Sequence, residues 1–201
     1  MIEKRPQFLD NPGVGALKEL QKAPGFPNES ELKRKLRVIP EWPKKGVNFV
    51  DITTLLQDAT AFHSVVDVVS DHFAKKNISA IVAVEARGFM LGAPVAYKLG
   101  TGFVPVRKRG KLPYSKISME YSLEYGQEYI EIHSDALRKG ERVAIVDDLL
   151  ATGGTADATA KLVEKMGAVV VGLAFLVELD FLHGREKLGR YNVLSLVHYD
   201  A

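Results

Sequence analysis

The sequence predicts an α/β fold, a mostly parallel twisted sheet flanked by helices. Two observations carry this expectation. Near-continuous apolar runs of strand length recur, among them "AIVAV", "VAIV" and "VVVGLAFLV", as strands covered on both faces require. Stretches with helical apolar spacing alternate with them, the pattern of an open parallel sheet with helices on its faces. A length of 201 residues fits one domain with a full core and small additions.

The elements follow in order. Up to about Pro27, prolines and glycines punctuate the chain, and only "GALKELQKA" reads as a short helix. "NESELKRKLRVIPEWP" predicts a helix capped by Asn28 or Ser30, acidic early and basic late, ended by Pro40 and Pro43. "GVNFVDITTLL" is a short extended piece and a turn. "DATAFHSVVDVVSDHFAKKN" places Phe62, Val65, Val66, Val69 and Phe73 on one helical face. "SAIVAVEA" is a buried strand, "GFMLGAPVAYKLG" a helix closed by Gly100, and "GFVPVRK" the next strand. The polar stretch from Arg109 to Gln127 fits no single element. "EYIEIH" alternates like an exposed strand and "RVAIVDD" is a buried one. "TADATAKLVEKMGA" is a helix presenting Ala158, Leu162, Val163 and Met166. "VVVGLAFLVEL" is a further strand, and "YNVLSLVHY" a last one at the edge.

Composition narrows the function. The chain is 46% hydrophobic and 26% charged, with a formal net charge of +2, too small to draw nucleic acid or a membrane surface by bulk charge. It has no cysteine, which excludes a disulfide framework and a thiolate zinc site. The five histidines, His63, His72, His133, His183 and His198, show no metal-ligand spacing. No apolar run reaches the length of a membrane span, and "MIEKRPQFLD" lacks the apolar core of a secretory signal. A cytoplasmic protein is expected.

In such sheets ligands sit at the carboxyl ends of strands, and three segments fall there. "VAIV" delivers Asp147 and Asp148, after which Ala151, Thr152, Gly153, Gly154 and Thr155 turn into a helix. A small-residue loop at a helix N-terminus aims bare amides at one point, with the helix dipole behind them, which suits phosphate. Thr152 and Thr155 can add hydroxyl donors. No lysine follows the glycines, so this is not a P-loop. Carboxylates repel phosphate but match the paired hydroxyls of a diol. Phosphate at one end and a diol nearby describe a ribose 5-phosphate. The second segment is "VEARGF", with Arg87 at a strand end. The third is "RKRGKLP", whose four bases, Arg107, Lys108, Arg109 and Lys111, are expected to aim at the same rim and to suit a diphosphate. "GKLPYSKIS" carries turn residues at both ends and is too long for a passive connection. Tyr114 and Tyr121 near it read as packing or loop-closure residues.

These residues bear a family resemblance. "VAIVDDLLATGGTA" resembles the 5-phosphoribosyl 1-pyrophosphate motif of type I phosphoribosyltransferases. "EARGF", "RKRGKLP", "YSLEYG", "GVNFVDIT" and "GREKL" are similar to motifs of the adenine-using members, over Leu36 to Tyr199. The resemblance implies a small N-terminal hood and a flexible catalytic loop, with an N-terminal extension over 1–35 and the phosphoribosyltransferase domain over 36–201. It implies adenine and 5-phosphoribosyl 1-pyrophosphate as substrates, AMP and pyrophosphate as products, Mg²⁺ carried by the diphosphate rather than by protein ligands, and a homodimer. No nucleic acid or membrane partner is implied.

The family's residue roles would then be as follows. Asp147 and Asp148 hold the ribose hydroxyls and Ala151 to Thr155 the 5-phosphate. Glu85, Ala86, Arg87 and Gly88 form the pyrophosphate loop, with a cis peptide between the first two. Lys111, with Lys108 and Arg109, reaches pyrophosphate as the loop closes. Phe49 stacks on the base, Asn48 reads its edge and Leu150 lies on the other face. Glu124 handles the proton at purine N7, with Tyr125 beside it. Members often carry a basic residue where Val50 stands. Two alternatives remain open on the residues: a transferase for another purine base, or a non-catalytic phosphoribosyl-pyrophosphate-binding regulator. Retention of "RKRGKLP" and Glu124 favours the enzyme.

Overall fold

The computed structural model describes residues 28–122 and 127–200. Helix α1, Glu29–Lys35, starts at Asn28, whose side chain accepts from Glu31 N at 3.0 Å while the Glu31 carboxylate accepts from Asn28 N at 2.9 Å. This reciprocal cap resolves the choice between Asn28 and Ser30. The helix does not run on to Pro40. Leu36 turns extended and is buried, and β1 (Arg37–Ile39) pairs antiparallel with β2 (Phe49–Asp51). Pairing to a distant strand overrides the local helical tendency of "KLRVI".

Helices α2 (Thr53–Gln57) and α3 (Ala59–Phe73) follow, the latter capped by Asp58, which accepts from Ala61 N at 3.0 Å. The main body then alternates: β3 (Ala80–Val84), α4 (Arg87–Leu99), β4 (Gly102–Lys108), β5 (Lys116–Ser122), β6 (Gln127–His133), β7 (Arg142–Leu150), α5 (Gly154–Lys165), β8 (Val169–Leu179), a 3₁₀ turn (Asp180–Leu182), α6 (Gly184–Lys187) and β9 (Val193–Tyr199). The strand order is β5-β6-β4-β3-β7-β8-β9. The run from β4 to β9 is parallel; β6 joins β4 antiparallel, and β5 joins β6 likewise.

Of the stretch that resisted placement, Lys116–Ser122 is strand β5, paired antiparallel with β6 as a hairpin. β6 is also less exposed than its alternation suggested: Ile130, Glu131 and Ile132 are all buried. The acid is tolerated there because it accepts from Gly110 N at 2.9 Å and Ser118 Oγ at 3.3 Å and pairs with Lys116 at 3.1 Å.

Each face of the sheet has its own core. One holds Leu32, Val65, Phe73, Leu91 and Val146 beneath α1, α3 and α4. The other holds Val82, Ile130, Ile145, Leu162 and Phe175 beneath α5 and the hairpin. Each such side chain, fully buried, contributes about 1.5–3 kcal/mol. From β3 the chain crosses through α4 to β4; from neighbouring β7 it crosses through α5 to β8, in the opposite direction. The strand order reverses between β3 and β7, where a crevice opens at the strand ends.

Candidate active site

That crevice is a cavity of about 330 Å³, lined by the ends of β3 and β7, the loop into α5, and parts of β4 and the hairpin. β7 brings in Asp147 and Asp148. Asp148 N donates to Asp147 Oδ1 at 2.9 Å, and Arg87 Nε lies 2.7 Å from Asp148 Oδ2. That contact is an ion pair without hydrogen-bond alignment, and Oδ2, buried, has no hydrogen-bond donor. Burial, then the charge of Asp148, pushes the Asp147 carboxyl well above the usual range. Burial also raises Asp148, and Arg87 partly offsets it. Two acids packed side by side in a partly desolvated cleft are poised to accept donors.

Beyond them, Ala151 to Thr155 curl into α5, with Gly153 at φ 77° and no side-chain cap on the helix. The turn is held from behind by the "GREKL" segment. A Cβ on Gly153 would stand 2.5 Å from Gly184 O, and one on Gly184 would stand 2.1 Å from Ala151 O. Only two glycines let these backbones meet. Gly88 serves a similar purpose at the start of α4, where a Cβ would lie 2.6 Å from Asp147 Oδ1.

On the β3 side, the Glu85–Ala86 peptide is cis, and Glu85, Ala86 and Arg87 line the cavity. Glu85 accepts from Arg107 Nε at 2.7 Å and Lys108 N at 2.8 Å. Burial raises its carboxyl, but these bonds outweigh burial and hold it below the ordinary value.

The four bases of "RKRGKLP" do not share one direction. Lys108 lines the cavity, Arg107 is held by Glu85, and the Arg109 guanidinium lies 4.8 Å from the Tyr129 ring centroid, facing a separate hollow. Alternation along β4 sends neighbouring side chains to opposite faces. The Lys111 carbonyl accepts from Arg107 Nη1 at 3.0 Å, and Lys111 does not line the cavity. Leu150, 1% exposed, does line it. Phe49 sits at its margin, edge-on to Trp42 at 4.6 Å and 5.3 Å from the Arg87 guanidinium. Asn48 is exposed; Val50 is buried at 3% exposure, facing the core beneath α1. Glu124 and Tyr125 lie outside the described residues.

Two polar lining residues were given no ligand-binding role by the sequence: Glu128, and Tyr121, which read only as a packing or loop-closure residue. The Tyr121 hydroxyl donates to Glu128 at 2.8 Å. Burial first, and Glu128 beside it, push its pKa up to about 12, so it remains a donor. The two are cross-strand partners, a juxtaposition visible only once the segment is recognised as a hairpin. Metal-ligand geometry arises away from the cavity, where Glu178, Asp180 and His198 converge. Sequence spacing hides this group, since it forms between the end of β8, the 3₁₀ turn after it and β9. Arg185 already holds Glu178 through a forked contact, with Nε at 2.9 Å, so the cluster offers a cation little free charge.

A family model described as a phosphoribosyl transferase domain matches residues 54–196. Adenine phosphoribosyltransferase of Alkaliphilus metalliredigens is 59% identical over 168 residues, covering 84% of this chain and 99% of the relative. That of Clostridium novyi is 55% identical over 169 residues, covering 84% and 98%. Among solved structures, adenine phosphoribosyltransferase from Thermoanaerobacter pseudethanolicus superposes with a TM-score of 0.83 at 52% identity, over 86% of this chain and 100% of the other. The Saccharomyces cerevisiae enzyme, in complex with an imino-altritol bisphosphate and adenine, gives 0.79 at 40% identity, over 84% and 97%.

Proposed function

The chain belongs to the adenine phosphoribosyltransferases, and from that premise we propose how its own residues carry the reaction. The enzyme joins adenine to 5-phosphoribosyl 1-pyrophosphate, giving AMP and pyrophosphate, a glycosyl transfer of purine salvage. The observation that carries the assignment of roles is the Asp147–Asp148 pair, half-buried and buried, set beside an uncapped helix N-terminus in one cavity.

Asp147 and Asp148 take the ribose hydroxyls; Asp148 Oδ2 has the Arg87 ion pair but no hydrogen-bond donor, so it can accept one. Amides of Ala151 to Thr155, with the Thr152 and Thr155 hydroxyls, take the 5-phosphate. The backbone of Glu85 to Gly88, with Arg87 and Lys108, receives the diphosphate; Arg109 and Lys111 join when their loop moves inward. Phe49 supplies a face for the purine, with Asn48 at its edge and Leu150 beneath. As the bond to C1 breaks, positive charge grows on the sugar and negative charge on the departing diphosphate. The cationic groups stabilise the second and the carboxylate pair the first. Glu124 accepts the proton leaving purine N7, with Tyr125 adjacent, and loop closure keeps water from the activated sugar.

Mg²⁺ fits this donor set as an ion that arrives on the diphosphate. Of the carboxylates nearby, Glu85 is engaged by Arg107, Asp148 by Arg87 and Glu128 by Lys108, so diphosphate oxygens and water would fill its shell. Bound there, it would withdraw charge from the leaving group.

The division into an extension, 1–35, and a catalytic domain, 36–201, belongs to the same reading. So does a homodimer, supported by the apolar outer face of α4, where Met90 is 45% and Tyr97 90% exposed. A polyanionic substrate does not cross a bilayer unaided, which supports a cytoplasmic location. The direct experiment supplies the sugar diphosphate, Mg²⁺ and each purine in turn. Adenine should give AMP far faster than hypoxanthine or xanthine does its nucleotide; absence of AMP would overturn the reading.

A further inference from the structure

Glu128 is the cavity acid that the transfer reaction does not use. It enters from β6, and its carboxylate holds two groups at once: Lys108 Nζ at 3.2 Å and the Tyr121 hydroxyl at 2.8 Å. All three side chains line the cavity that holds Asp147, Asp148 and the phosphate loop. Thr155, at the mouth of that loop, lines the same cavity. The other cavity acids have work: Glu85 anchors Arg107, and the aspartates face the sugar. A further negative charge beside a site for a phosphorylated, diphosphate-bearing sugar opposes the ligand by Coulomb repulsion. Its arrangement resembles what a phosphate oxygen would do there, accepting from an ammonium and a hydroxyl together.

We propose that Glu128 is a resident counter-ion, a carboxylate that stands where a substrate phosphate group binds, keeps Lys108 and Tyr121 turned into the cavity, and surrenders both to the incoming anion. The inference rests on the reading of this cavity as the sugar-diphosphate site. It makes Glu128 a determinant of anion affinity: binding requires exchanging one acceptor for another. Lys108 is a long, flexible side chain with 57% of its surface exposed, and the carboxylate confines it at the cost of competing with the ligand.

The test is Glu128→Gln, which keeps the shape and the acceptor for Tyr121 but removes the charge. Titration calorimetry with inorganic pyrophosphate and Mg²⁺ should show binding tighter by about fivefold, the effect of one unit charge a few ångströms away in a water-like medium. KM for the sugar diphosphate should fall by a similar factor, while kcat does not rise. Glu128→Asp keeps the charge and shortens the reach; it should bind pyrophosphate no tighter than the unaltered enzyme. Unchanged or weaker binding in Glu128→Gln would overturn the proposal, as would equal tightening in both variants. Turnover of adenine by the unaltered enzyme reports separately on the underlying reading, so either can fail alone.

Discussion

Gly184→Ala is the substitution whose consequence can be worked furthest. The new Cβ would lie 2.1 Å from Ala151 O, 2.8 Å from Gly153 N and 3.0 Å from the Ala151 carbonyl carbon. Cβ atoms essentially never come within 3.0 Å of another heavy atom, so the two backbones must part by about 0.9 Å. No flexible side chain can yield, because every obstructing atom is main chain. Overpacking of this kind costs about 1–3 kcal/mol, and for a chain of this size each kcal/mol lowers Tm by about 2–4 °C. The displaced partner is the phosphate-binding turn itself, and misplacing a binding group by about 1 Å can cost on the order of 100-fold in rate. We therefore expect kcat/KM for the sugar diphosphate to fall by about 10- to 100-fold, with a smaller change in KM for adenine. Gly189→Ala is the matched control, since its Cβ would meet nothing nearer than Glu186 O at 3.4 Å. Steady-state rates and a calorimetric scan on both variants decide the matter. A Gly184→Ala enzyme with unchanged sugar kinetics and Tm would refute the idea that α6 buttresses the turn.

Three further outcomes are expected. Asp147→Asn combined with Asp148→Asn should weaken sugar-diphosphate binding, measured directly, by about tenfold or more, while Glu124→Gln should lower kcat with little loss of that binding; equal effects on both measurements would contradict the division of labour. Arg185→Lys should cost about 1–3 kcal/mol in denaturant unfolding, because an ammonium keeps the charge but cannot fork onto Glu178 and also reach Val193 O and Ser195 Oγ, now 3.0 and 3.1 Å away. His72, buried beside Lys76, has its pKa pushed down to about 4 from 6.5. The unfolded chain takes a proton that the folded one refuses, so stability drops as pH falls from about 6.5 towards 4 and is unaffected above that window. Allowing for partial solvent access the loss is ~2 kcal/mol, and the Tm–pH curve of His72→Gln should be flatter there; Glu131 and Glu178, held below 4.5, act only at lower pH.

The parallel body was legible because its strands are apolar enough to declare themselves. β3 is buried along its whole length and β7 over Val143–Val146, and neither depends on a partner to explain its composition. The hairpin was not. "KISMEYS" and "QEYIEIH" carry acids and bases whose burial makes sense only in pairs: Glu131 with Lys116, Gly110 and Ser118, and Glu128 with Tyr121. Single-sequence periodicity contains no pairing, so the first fitted no single element and the second read as an exposed strand. The end of α1 was hidden for the same reason, since only β2 explains why Arg37 leaves the helix. Val50 shows the converse: an apolar residue where the family resemblance led us to expect a base belongs to a two-stranded ribbon whose other face holds the Arg37–Asp51 ion pair at 2.6 Å.

The candidate site was half legible along the same line. A motif of neighbours, the acid pair and the turn behind it, can be read locally. A cluster of bases cannot, because what a base contributes depends on which acid holds it. Arg87 rests on Asp148, Arg107 on Glu85 and Lys108 on Glu128. These pairs are not equivalent. Glu85 also accepts the Lys108 amide, and Arg107 also donates to the Lys111 carbonyl, so releasing that pair would dismantle the loop; it is structural. The Asp148 contact lacks hydrogen-bond alignment, and the Glu128 contact is longer and more exposed. Those two are the cations a diphosphate can take over without disturbing the backbone. Replacing Arg107 should therefore be felt as loss of stability and loop order, whereas replacing Lys108, whose partner Glu128 is more exposed, should be felt as loss of anion affinity with Tm nearly unchanged.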